Sequence, residues 1–203
     1  RREYTRDSLV IAIAGNFDED KILSMFEDKL VKLLPSKAEK QAVPVRYQPR
    51  YKVKSRDIEQ SHISLAVPGV SLEDSRYYAM GLLSNIMGGS MSSRLFQNIR
   101  EEKGLAYSVY SAASSFSSAG YFEIYAGVAH DKIAEAIGGI REELEILKRD
   151  GVTKEELDKA KEQMKSAYIF GQENVTGRMF SIGKNMTVCR RVHTPEEVVD
   201  GFN

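Results

Sequence analysis

Arg100 and Tyr107 are the two side chains whose types and spacing most suggest chemistry in this sequence. They lie seven residues apart in the stretch GGSMSSRLFQNIREEKGLAYSV, residues 88–109, which reads as glycine stop, helix, glycine turn and strand. A guanidinium fork and a phenolic hydroxyl are both hydrogen-bond donors, suited to gripping a peptide carbonyl and to stabilising an oxyanion as it forms. The pair also has a plain structural reading. An arginine in the last turn of a helix complements its dipole, and a tyrosine is ordinary strand material. Both readings stand on the residues alone, and donors by themselves do not hydrolyse a bond, so a metal or a nucleophile would have to accompany them.

Neither is legible elsewhere in the chain. The three histidines, His62, His130 and His193, are far apart, and none falls within an H-E-x-x-H or H-x-x-E-H pattern. His62, on a predicted strand, reads as a packed or edge residue, and His130 and His193 read as surface residues. Cys189 has Arg190 and Arg191 beside it but no histidine nearby in sequence to activate it, so it reads as a buried cysteine. There is no G-x-S-x-G elbow. Gly88-Gly89 could cradle an anion at a helix N-terminus, but the lysine and spacing of a phosphate-binding loop are missing, and a plain helix stop is the simpler reading.

The elements that must position Arg100 and Tyr107 follow from hydrophobic periodicity. Ser8 to Ala14 is a continuous apolar run that fits a buried strand. Asp18 caps a helix carrying Ile22, Leu23, Phe26, Leu30 and Leu33 inward and ending at Pro35, and an exposed connection follows to residue 50. Short strands are expected at 51–54 and 60–67, then a helix from a Ser71/Asp74 cap to about Met87, where Gly88-Gly89 stops it by adopting left-handed dihedrals. A second helix spans about 92–102, and the strands 105–113 and 121–128 form an antiparallel hairpin. Asp131 opens a long helix with Ile133, Ile137, Ile140, Leu144 and Leu147 inward. Thr153 and Glu156 form a capping box for the next helix, and helix continues to about Cys189. The expected fold class is α+β: a mixed, largely antiparallel sheet with helices packed mainly on one face, as one domain over residues 1–203.

Bulk properties bound the partners. The chain has 203 residues, and its 29 basic and 29 acidic residues cancel, leaving no electrostatic footprint for nucleic acid or an anionic membrane. No apolar run approaches the roughly 20 residues of a membrane span. A single cysteine excludes an internal disulfide and suits a reducing compartment, so a cytoplasmic setting is expected. The chain opens without an initiator methionine, and the Thr194/Glu197 capping box with Pro195 begins a helix only six residues before the end. A longer polypeptide is therefore expected.

The central stretch, the later GVTKEELDKAK and the opening LVIAIAGNFDEDKI together resemble the C-terminal half of the catalytic unit of the pitrilysin (insulinase) family of zinc peptidases, the group that includes mitochondrial processing peptidase. The resemblance covers nearly the whole chain in order. It implies a metallohydrolase-like half of a clamshell peptidase, the non-zinc domain, with zinc and its H-x-x-E-H motif on a separate N-terminal domain and no cofactor in this chain. It also implies that Arg100 and Tyr107 reach a peptide substrate near the scissile bond, Tyr107 donating to the developing oxyanion and Arg100 fixing the substrate carbonyl. The implied partners are a peptide substrate and a zinc-bearing domain or homologous subunit, with a homodimer among the assemblies allowed. Two other readings remain: an inactive scaffold or assembly subunit of the same fold, and an independent α+β ligand-binding module.

Overall fold

A computed structural model describes residue 5 and residues 8–30 and 45–203. The chain divides into two compact units, residues 1–44 with 167–198 and residues 45–166 with 199–203. The expected helix end at Pro35 and the connection over residues 36–44 lie outside the described residues.

In the first unit, helix α1 spans Glu19–Leu30, and the Asp18 carboxylate accepts from the Lys21 amide at 3.1 Å, the expected N-cap. The run 9–14 forms no strand. It passes α5 (Val175–Cys189) instead, so closely that a Cβ on Gly183 would lie 3.1 Å from that of Ala12. A short apolar run does not fix its own state, and here no neighbouring strand offers it a ladder among the described residues, while Leu9 and Ile11 are left exposed. The Asn174 side chain caps the start of α5, and a left-handed Arg190 follows its end. Cys189, at that end, is half-buried rather than buried. Thr194 and Glu197 form the expected reciprocal capping box at the start of α6 (Pro195–Gly201).

The second unit holds the sheet. Strands β1 (Ser61–Pro68), β2 (Ser108–Ser115) and β3 (Gly120–Val128) are ordered β1-β3-β2 and are antiparallel throughout. The hairpin register pairs Val109 with Ala126 and Ala113 with Phe122, while β1 places Ile63 opposite Ala126. Period-2 alternation therefore sends Val109, Phe122, Ile124, Ala126 and Val128 to one face, and that face is the buried one. No strand forms at 51–54. His62 lies exposed on the edge strand β1, stacked on Tyr125 and hydrogen-bonded to its hydroxyl at 2.6 Å. His130 is exposed, with Ser61 and the Ile58 carbonyl as partners.

Helices cover the buried face, as the expected fold class requires. Helix α2 (Tyr77–Gly88) begins later than expected, because the Asp74 carboxylate pairs with Arg76 instead of capping a helix. Its last turn lies against β2, where the Ser111 hydroxyl donates to the Ser84 carbonyl at 2.8 Å and a Cβ on Gly88 would collide with the Ser111 backbone nitrogen. Gly89 is right-handed, with φ −87°, so the glycine pair is not there for left-handed dihedrals. Gly88 is there because the helix and strand backbones approach too closely for any side chain.

Helix α3 (Ile133–Asp150) covers the rest of the face through Ala136, Gly139, Ile140 and Glu143. Of the expected stripe, Ile140, Leu144 and Leu147 face the core, whereas Ile133 and Ile137 are exposed. Small residues win the inward positions because Ile99 presses on this helix, with its Cδ1 2.7 Å from where a Cβ of Gly139 would stand. Met87, Leu95, Ile99 and Ile140 are fully buried together. Each such side chain contributes about 1.5–3 kcal/mol through burial. Helix α4 (Lys154–Glu173) follows, with Ala160 buried.

Two glycines of this unit separate steric need from mere tolerance. Gly88→Ala is expected to lose about 3 kcal/mol by overpacking. Gly138, exposed on α3 with open space at its Cβ position, is expected to gain about 0.5–1 kcal/mol as alanine. Urea unfolding of the two variants checks both signs, and equal effects would contradict the close crossing at Gly88.

Candidate functional site

The expected helix at 92–102 takes an unusual form. After a first turn at Arg94 and Leu95, residues Phe96–Glu102 are a π-helix, and the Lys103 amide donates five residues back to the Asn98 carbonyl at 3.2 Å. Gly104 then adopts φ +58°, and the Leu105 amide donates back to the Ile99 carbonyl at 2.9 Å. This is a glycine-terminated cap widened by the additional residue of the π-turn. The chain leaves the turn through buried Leu105 and Ala106, and the Tyr107 amide joins the sheet by donating to the Gly127 carbonyl at 2.8 Å.

Arg100 and Tyr107 thus occupy the two arms of one turn whose backbone is fixed at both ends. No hydrogen bond or ion pair joins them to each other. The Arg100 guanidinium lies over the Phe96 ring, 4.7 Å from its centroid, and among the described residues its one ion-pair partner is the neighbouring Glu101 carboxylate, at 3.7 Å. Its side chain is 44% exposed. Tyr107 is 62% exposed, and among the described residues its hydroxyl has no protein partner. Two donor groups are therefore presented to solvent from the two arms of the turn.

Three contacts hold the turn. Asn98 Nδ2 donates to Glu143 Oε1 at 2.7 Å, with Glu143 only 4% exposed on α3. Lys103 pairs with Glu142 of the same helix at 2.6 Å. Arg94 makes a two-pronged pair with Glu156, Nε to Oε1 at 2.6 Å and Nη2 to Oε2 at 2.7 Å, and Nη2 also donates to the Gly151 carbonyl. Glu156 is the N3 member of the capping box with Thr153, so one carboxylate serves the start of α4 and anchors the turn. The capping box was legible in the sequence; its second use and the Asn98–Glu143 contact were not. Among the described residues no group of three or more histidine, cysteine, aspartate or glutamate side chains could hold a metal ion, so a zinc ion does not fit the residues present here. No helix among them is long and apolar enough to cross a membrane.

The α+β fold is the one expected from the resemblance. Residues 1–164 match the family model described as the peptidase M16 inactive domain, and the chain belongs to that family. It is 36% identical over 206 residues to the uncharacterized zinc protease YmxG of Bacillus subtilis, covering 98% of this chain and 49% of that protein. Among solved structures it is similar to a conserved protein from Enterococcus faecalis V583, with a TM-score of 0.71, 24% identity, and coverage of 93% of this chain and 45% of that one. It is also similar to a chain of complex III2 from Candida albicans, with a TM-score of 0.78, 21% identity, and coverage of 93% and 47%. These two likenesses speak for the fold. The chain spans about half the length of the curated relatives it matches. Those relatives are named zinc proteases, while the domain matched here is the one named inactive.

The Arg94–Glu156 pair makes the fold pH-dependent in a predictable direction. The Arg94 guanidinium holds the Glu156 carboxyl down at about 2, against the opposing effect of burial and with help from Thr153. A depressed carboxylate contributes stability that is present above its unfolded value near 4.5 and is lost as pH falls toward 2. Glu156→Gln is expected to lose on the order of 2 kcal/mol at pH 7, and the gap to wild type should close in melts taken at successively lower pH. A gap unchanged at pH 2.5 would contradict the charge pairing.

Proposed function

We propose that residues 1–203 serve as the C-terminal, non-zinc domain of a zinc endopeptidase, closing the peptide chamber and supplying Arg100 and Tyr107 to substrate binding and transition-state stabilisation. Zinc belongs to the other domain or to a homologous subunit, and that half supplies the attacking water. This chain's own residues bind and orient: Arg100 fixes a carbonyl of an extended peptide, and the Tyr107 hydroxyl donates to the oxygen on which negative charge develops. The observation that carries the reading is the exposure of both donors on a turn held from behind. The setting is a cytoplasmic enzyme acting on peptides, with a homodimer as one assembly open to it.

The second reading, a non-catalytic scaffold or assembly subunit, draws on the family's description as an inactive domain. Coding sequence upstream of Arg1 separates the two. An H-x-x-E-H about one domain earlier supports the peptidase; its absence, together with the absence of a zinc-bearing neighbouring subunit, supports the scaffold. For the peptidase, Tyr107→Phe in the full-length protein is expected to lower kcat about 100- to 1,000-fold while zinc content measured by atomic spectroscopy stays unchanged. Peptide cleavage at the wild-type rate would remove Tyr107 from the mechanism.

A further inference from the structure

We infer that Glu143 and Asn98 are positioning residues for the Arg100–Tyr107 pair: a buried carboxylate on α3 that fixes the π-helical form of the turn through the Asn98 amide. The inference rests on the proposed role of Arg100 and Tyr107 and extends it to two side chains that touch no substrate.

Glu143 is the only charged side chain among the described residues that is buried, at 4% exposure. A buried carboxylate is costly unless it is hydrogen-bonded, and neither a helix surface nor a hydrophobic core needs one at this place. Its partner is not a cation but the Asn98 side-chain amide, at 2.7 Å. Asn98 is also the residue whose carbonyl receives the π-type bond from the Lys103 amide. Glu143 therefore grips the turn at the residue that defines its wide winding.

The neighbourhood supports the same geometry. Ile99, next in sequence, is fully buried against the gap left by Gly139, one turn before Glu143 on α3. Lys103 closes the far end of the turn on Glu142. Arg94 and Lys103, one at each end of the turn, both feel the charge of Glu143. Asn98 and Arg100 are two residues apart on the winding, so fixing the first beneath the turn leaves the second outside it. Without the Asn98–Glu143 bond the segment would be free to tighten to α-helical winding, which turns Arg100 about the axis relative to Tyr107. Misplacement of a positioned group by about 1 Å can cost on the order of 100-fold in rate.

The test is a set of variants of the full-length protein assayed on a quenched fluorescent peptide, with thermal melts alongside. Arg100→Ala is expected to lower kcat/KM about 100-fold. Glu143→Ala should lower it about tenfold, mainly in kcat, because a misplaced Arg100 still meets part of the substrate. Glu143→Gln, which keeps an acceptor oxygen for the Asn98 amide, should restore activity to within about threefold of wild type. In the Arg100→Ala background Glu143→Ala should cause no further loss, the signature of a residue that acts through Arg100. A Glu143→Ala protein that folds and cleaves at the wild-type rate would overturn the inference, as would a loss that multiplies fully with that of Arg100→Ala. If Glu143→Ala does not fold, Asn98→Ala, a half-buried position, carries the same comparison with the same two overturning results. Wild-type activity in Arg100→Ala alone would instead remove the underlying role of Arg100, and the inference with it, a failure visible in that single variant.

Discussion

The contact on which the most depends is the seating of Ile99 in the gap left by Gly139. It brings the 94–105 segment close enough to α3 for Asn98 to reach Glu143 and Lys103 to reach Glu142. It also decides which side of α3 faces the core. A helix that must receive a branched side chain at backbone distance turns its alanine and glycine inward, and two of its isoleucines are left at the surface. Close packing of this kind transmits shape, since cores behave as near-crystalline solids and have no slack to absorb a displaced residue.

Much of the architecture was legible because it rests on short-range rules. The capping boxes at Thr153/Glu156 and Thr194/Glu197, the Asp18 cap and the 108–128 hairpin all form close to where residue type and alternation put them. The family could be read too, since its central motif is local. What could not be read depends on contacts between segments distant in sequence. The apolar run at 9–14 looks the same whether it pairs in a sheet or packs on α5. Gly88-Gly89 looks like any helix stop until β2 is seen crossing behind Gly88.

The site shows the same division. Arg100 and Tyr107 stood out from their types and spacing, whereas the apparatus behind them did not. Glu143 occupies a position that periodicity would give to a surface charge, and only the tertiary fold buries it. Phe96, which underlies the Arg100 guanidinium, has nothing in its residue type to set it apart from a core residue of an amphipathic helix. The π-winding itself has no sequence signature, because the same residues would serve an α-helix equally well. Donors were visible; what aims them was not.

A π-turn is an α-helix that has accommodated one residue too many. In genetic terms, the loss of a single codon between Phe96 and Glu102 would let this segment take regular α-helical winding while the residues beyond it kept their orientation, because the wide turn is what absorbs the additional residue. One deletion could therefore change the winding under Arg100 and leave the sheet and its covering helices as they are.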